Sequence, residues 1–148
     1  MSFDDAIKEL KKTYESGSYR TELIKKTLTE NSRMRKTYAQ MLILQCARFG
    51  EIQQKVFVAR KTTYTHLYQL MELGLLKQVA VMDLWNKSNL DREQKLVLSK
   101  FKDWTSKMAD KQVNYFAAQT HYFLLTEQGK NLDIVKWVSK LEKEFKNS

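Results

Sequence analysis

No proline occurs in the 148 residues, and only four glycines, Gly17, Gly50, Gly74 and Gly129, are present to interrupt the chain. Proline ends helices by removing an N–H and crowding the preceding turn, and glycine weakens them by freeing the backbone. A chain nearly without them can run in long helices, with its few glycines as punctuation. The apolar residues agree with this. Phe3, Ile7, Leu10 and Tyr14 recur at spacings of four, three and four, one face of a helix that stops at Ser16-Gly17-Ser18. A second helix over about residues 19–31 carries Tyr19, Leu23, Ile24 and Leu28. Residues 37–49, TYAQMLILQCARF, are apolar around most of the circumference, with Tyr38, Leu42, Cys46 and Phe49 on one side, and are expected to form a central buried helix. A short segment, EIQQKVFV, and a polar turn, ARKT, come next.

The following stretch, TYTHLYQLMELGLL, has two distinct sides. On a helical wheel centred on Leu67, residues Thr63, Tyr64, Leu67, Leu70 and Met71 fall within about 60° of the centre, and Lys61, Thr62, Thr65 and Gln69 fall opposite. One side is built for a core and the other is free. Thr62 or Thr63 can cap the start, Gly74 stands where a left-handed C-terminal residue belongs, and Leu75 and Leu76 begin a strand.

Helix, short helix, turn, capped helix, strand is the order of a winged helix-turn-helix. TYTHLYQLMELGLL resembles the recognition-helix segment of the MarR, PadR and ArsR-like regulators, which opens on threonine or serine, continues with leucines three apart and closes on a Gly-Leu pair. HYFLLTEQGKNL, residues 121–132, resembles the last wing strand of those families followed by LT-x-x-GK, the entry to their C-terminal helix. The resemblance covers roughly residues 37–85 and 115–146. It implies a winged core over 37–85 and 114–130 with a C-terminal dimerisation helix over 131–148; with a helical N-terminal arm over 1–36 and a helical insertion over 86–113 read from the apolar pattern, the expectation is a mainly α single domain with a small β-hairpin. The arm is one departure from the family pattern. The other is the distance between the expected wing strands, KQVAVMDLW and NYFAAQTHYFLLT, which a short loop usually joins.

Within that insertion Leu90, Val97, Leu98, Phe101, Trp104 and Met108 lie within about 60° of Phe101 on a wheel, so residues 89–110 are expected to form one amphipathic helix of about five turns. Such a helix needs a surface to cover: its own domain, a twin subunit, a protein partner or an effector. Lys87, Lys107, Lys111 and Gln112 lie at its ends, where a wing tip is expected, and are candidate phosphate contacts. In the last helix, Ile134, Val135, Val138, Leu141 and Phe145 form one stripe, which resembles the helix through which the family dimerises. With the arm, this makes Phe3, Ile7, Leu10, Val135, Val138, Leu141 and Phe145 the candidate homodimer interface.

Composition narrows the function. Lys and Arg number 26 against 17 acids, a formal net charge of +9, which favours a polyanionic partner through long-range attraction and counterion release. A single cysteine, Cys46, has no partner in the chain, and His66 and His121 are too far apart for zinc-ligand spacing, so neither a disulfide framework nor a metal or other cofactor is expected. No leader-like or membrane-spanning pattern is present, and a cytoplasmic protein with no membrane partner is expected. Nucleophile-elbow, phosphate-loop and zinc-protease motifs are missing, which argues against an enzyme. Trp85, Trp104 and Trp137 are read as packing residues.

A major groove about 12 Å wide accepts one helix, read by side chains that can reach base edges from its first turns. Lys61, Thr62, Thr65 and Gln69 meet that requirement. Gln69 can grip adenine, Lys61 a guanine edge or a phosphate, and the threonines a phosphate or a thymine methyl, with His66 and Tyr68 flanking and Arg60 in the turn beside the backbone. The expectation is a sequence-specific double-stranded DNA-binding protein, a homodimeric transcriptional regulator and a repressor rather than an activator. A centromere-binding or replication adaptor of the same fold, or a winged-helix module that binds only protein, are the alternatives.

Overall fold

The computed structural model describes residues 2–8 and 17–146, with side chains described over 2–8 and 20–143. Residues 3–8 are helical (α1). Then come Gly17–Glu30 (α2), Ser32–Leu44 (α3), Cys46–Arg48 (β1), Phe49–Val56 (α4), Arg60–Glu72 (α5), Leu76–Ala80 (β2), Arg92–Thr105 (α6), Asp110–Gln119 (α7), His121–Leu125 (β3) and Leu132–Lys146 (α8), with 3-10 turns at Val81–Asp83 and Gln128–Lys130. The chain is mainly helical with a small antiparallel sheet of three strands in the order β1-β3-β2, so the expected hairpin gains a third strand.

β3 sits in the middle, with Leu124 opposite Cys46 and Leu125 opposite Leu76. Side chains alternate across a strand, and both faces of β3 are covered, which explains why Tyr122 to Leu125 are all buried. Phe123 and Leu125, with Ala47 and Leu76, join a core built by Ile24, Leu28, Tyr38, Met41, Ile52, Leu67, Leu70, Ile134 and Val138. Tyr122 and Leu124, with Cys46, join a second core with Val81, Leu84, Val97, Phe101 and Ala117. The insertion supplies Val97, Leu98 and Phe101 to that second core, with Leu90, Trp104 and Val113 packed against it.

Several sequence expectations are corrected. The helix expected over 37–49 starts earlier and stops at Leu44: Gln45 takes a left-handed φ of 64° and its N–H closes on the Met41 carbonyl at 2.7 Å. Cys46 to Arg48 then pair with Tyr122 to Leu124, and Phe49 opens α4, so Cys46 and Phe49 do not belong to α3. The single helix expected over 89–110 is two, α6 and α7, broken at residues 106–109. Continued at 100° per residue from Phe101, a straight helix would place Val113 at about 120° and Ala117 at about 160° from the Phe101 face, so one rod could not bury both sets. α7 also takes up residues 114–119, leaving only His121–Leu125 of the expected second wing strand. Val97, Leu98 and Phe101 are buried within the chain's own second core, so the stripe offered to a protein partner by residues 89–110 is used internally.

The two halves of the motif pair meet in space. Gly74 adopts φ 78° and ends α5, and the Leu75 N–H returns to the Leu70 carbonyl at 3.0 Å. The Thr126 N–H donates to the Leu75 carbonyl at 3.1 Å, and its hydroxyl donates to the Gly74 carbonyl. Gly129 N–H donates to Thr126 Oγ1 at 3.0 Å, and the buried Tyr38 hydroxyl donates to the Gly129 carbonyl at 2.5 Å. A Cβ on Gly129 would stand 2.1 Å from the Leu75 carbonyl oxygen, so only glycine fits there.

α8 lies against α2 and α3. Ile134 and Val138 are buried in the first core, Arg35 Nε bonds Glu142 at 2.7 Å, and Trp137 Nε1 donates to Thr29 Oγ1 at 3.0 Å. Val138 is therefore a residue of the chain's own core and is removed from the candidate dimer surface. Val135 and Leu141 are half-buried, Phe3 is 79% exposed and Ile7 37%. Leu10 and the Phe145 side chain lie outside the described residues. Among the described residues no helix is long and apolar enough to cross a membrane.

Candidate nucleic-acid interface

α5 divides as its periodicity requires. Thr63, Leu67 and Leu70 are buried and Tyr64 and Met71 half-buried, which fixes the helix against α3 and α4. It begins two residues before Thr62, the earlier of the two expected caps: Ala59, at φ −57° and ψ 148° and without a side-chain bond, is the N-cap, and Arg60 is the first helical residue and not part of the turn. Thr62 and Thr63 consequently do not cap it. Thr63 instead folds its hydroxyl back onto the Ala59 carbonyl at 3.1 Å.

On the other side Arg60, Lys61, Thr65, Tyr68 and Gln69 are exposed, Tyr68 at 48%, and Thr62 is half-buried. The side chains of Lys61 and Gln69 make no hydrogen bond or ion pair with any described residue, so their donors and acceptors are unspent. Thr65 is different. Its hydroxyl donates to the Lys61 carbonyl at 3.0 Å, leaving a methyl and oxygen lone pairs outward. That arrangement suits a thymine methyl better than a phosphate, which needs a donor. Glu72, also exposed, borders a depression that Gln69 shares with Thr27 and Asn31.

His66 is half-buried, and its Nδ1 is enclosed without a hydrogen-bond partner. Burial lowers its pKa below 6.5, and the nearby Arg33 charge lowers it further. At neutral pH it is uncharged and belongs to the flank of the helix. Arg60 places its guanidinium 5.2 Å from the Phe49 ring centroid and 5.7 Å from that of Tyr64, two rings stacked at 3.7 Å.

Beside this end of α5 opens a cleft of about 360 Å³, which Arg60 and Tyr64 share with Arg48, Gln53, Gln78, Trp104, Phe116, Gln119, Thr120 and His121 among others. Of these residues only Arg60 stands among those expected from the sequence to meet DNA. Strand alternation carries a usable signal for two of them: Gln78 is two residues from buried Leu76, and His121 two from buried Phe123, so each faces the same side as the first core at the sheet's open end. The expected phosphate contacts of the wing sit elsewhere. Lys87 follows the 3-10 turn after β2, Lys107 lies between α6 and α7, and Lys111 and Gln112 are in the first turn of α7. All four are exposed, and none lines this cleft.

Cys46 is fully buried, and desolvation pushes its thiol up to about 11 against the smaller opposing influence of Lys100, which makes it unreactive packing. Trp85 and Trp104 pack against the second core. Among the described residues no three His, Cys, Asp or Glu side chains stand together to hold a metal. Comparison with protein-family models, with curated proteins and with solved structures yields no match to this chain.

Proposed function

We propose that this chain is a winged helix-turn-helix protein that binds double-stranded DNA with sequence specificity, α5 being the helix that enters the major groove. The observation that carries the reading is the open row of Lys61, Thr65 and Gln69 on a helix whose reverse side, Thr63, Leu67 and Leu70, is locked in the core. A helix held rigidly by one face and unspent on the other is what base readout requires. α4 and α5, joined through residues 57–59, supply the helix-turn-helix, and β2 and β3 flank it as the wing pair. The charge of +9 supports a duplex partner.

Phe3 and Ile7, exposed on one stripe of α1, together with Val135 and Leu141, support a homodimer, whose twofold axis would pair two α5 helices. The protein then acts as a transcriptional repressor, since occupying a promoter needs no surface beyond this one. Selection of bound sequences from random duplex DNA, followed by footprinting, tests the proposal. A near-palindrome with half-sites about 34 Å apart is expected. Bound sequences without any consensus would remove the specificity claim, and protection without dyad symmetry would remove the dimer.

A further inference from the structure

We propose that the cleft between α5 and the insertion is a seat for a phosphate ester, supplied by the backbone of the duplex that α5 enters, with Arg48 as its central donor. This rests on the DNA-binding reading and extends its contact surface to residues of β1, β2 and α7.

The chemistry of the lining comes first. Its charged side chains are Arg48 and Arg60, joined by His121 and three glutamines, and no Asp or Glu is among the described residues that line it. Two guanidinium groups line a partly enclosed space, and the one carboxylate paired with either, Glu51 beside Arg48, stands outside the lining, which sets up an anion site. Arg48 is the more committed of the two. Its side chain is 26% exposed, its Nε makes no hydrogen bond, and the Glu51 carboxylate stands at 3.7 Å, beyond hydrogen-bond reach. That carboxylate is engaged by the Arg48 backbone N–H at 3.2 Å.

The geometry agrees with this. Arg48 lies over the Trp104 ring with its central carbon 4.1 Å from the centroid. Stacking occupies the face of the guanidinium and Nε is enclosed, which leaves the terminal Nη1 and Nη2 pair to meet a phosphate in forked fashion. A Cβ on Gly50 would come 2.9 Å from Arg48 Nη1, so the bare glycine makes room for the group at the start of α4. Trp104 thus acts as a positioning residue, and the insertion has a role that a short wing loop could not fill: it holds an arginine of β1 at the wall of the helix-turn-helix. Because Arg60 and Tyr64 belong to both the cleft and α5, a phosphate held here lies at the edge of the groove that α5 reads.

The test compares the dependence of duplex affinity on salt for wild type, Arg48→Ala, Gln119→Glu and, as a charge-matched change on the exposed side of α6, Ser99→Glu. One lost phosphate contact lowers the log-log slope by about 0.9, so Arg48→Ala is expected to flatten it by about one. Gln119 is exposed, so Gln119→Glu should leave the melting temperature unchanged while cutting affinity about tenfold, and Ser99→Glu should change affinity less than about twofold. If Arg48→Ala does not fold, Gln119→Glu decides alone. Wild-type slope and affinity in the cleft variants, on a wild-type protein that binds duplex, would overturn the seat and leave DNA binding intact. A wild type that binds no duplex would end both. Titration with ATP in the absence of DNA separates the sources: Arg48-dependent quenching of tryptophan fluorescence with no change in the duplex salt slope would assign the cleft to a free phosphate ester and overturn the proposal.

Discussion

Gly129→Ala offers a sharp test of how the fold is assembled. The new methyl would sit 2.1 Å from the Leu75 carbonyl oxygen, 3.0 Å from its carbon and 3.3 Å from Leu125 Cδ2. The first distance is more than about 1 Å short of an ordinary contact, and both partners are backbone or core, so neither can swing away. Relief requires the 126–130 turn to lift from the 74–76 segment. That motion strains three bonds: Thr126 N–H to Leu75, Thr126 hydroxyl to Gly74, and Tyr38 hydroxyl to Gly129. Overpacking costs about 1–3 kcal/mol, and each buried polar group left unsatisfied costs about 1–3 kcal/mol, so a loss of roughly 3–5 kcal/mol is expected. For a chain of this size that lowers the melting temperature by about 10 °C. Gly50→Ala is the internal control. There the methyl meets only the tip of the Arg48 side chain, and alanine favours the first turn of α4 by up to about 1 kcal/mol, so melting should stay within about 3 °C of wild type. Melting followed by far-ultraviolet circular dichroism reads both. A Gly129→Ala protein that melts within about 2 °C of wild type would refute the described junction of the two motifs.

Phe101→Ala, which empties the centre of the second core, should cost about 3–5 kcal/mol in urea unfolding, whereas an insertion that merely rests on the domain would lose almost nothing. Cys46 should resist alkylation in the native protein at mildly alkaline pH and react only after unfolding; rapid modification of native protein would contradict its burial and raised pKa. His66 has a folded pKa below 6.5, so as pH falls through about 6.5 the unfolded chain binds the proton first and wild type should lose stability relative to His66→Gln. Identical pH dependence of the two melting curves would show that His66 is not desolvated as described.

What the sequence disclosed follows from the range of the forces involved. α5 was legible because its core face depends on local period and its end on Gly74, both written within the short stretch from Arg60 to Gly74. The link between Gly74 and Thr126 is long-range, yet it showed as a motif pair because both ends use glycine and threonine in fixed roles. The break at Gln45 left no such mark. TYAQMLILQCARF is apolar on most sides and contains neither glycine nor proline, and Cys46–Arg48 becomes a strand only because Tyr122–Leu124 is there to pair with it. The division of the insertion was hidden for a similar reason, since a wheel drawn through Phe101 fits α6 and says nothing of the second stripe that begins at Val113. The cleft was the least legible part. Arg48, Gln78 and His121 come from three strands and are ordinary in their local surroundings; only the sheet's register and the insertion bring them beside Arg60.

The proposed function turns on the open side of α5 reading base pairs. The measurement that tests it most directly is the affinity of a Lys61→Ala, Gln69→Ala double variant for the duplex selected by wild type, with an unrelated duplex alongside. Neither side chain has a partner among the described residues, so the variant should melt like wild type. Two base contacts at about 1–3 kcal/mol each predict at least about a thirtyfold loss on the selected duplex and a much smaller loss on the unrelated one. Undiminished binding to the selected duplex by a folded double variant would show that some other surface meets the DNA.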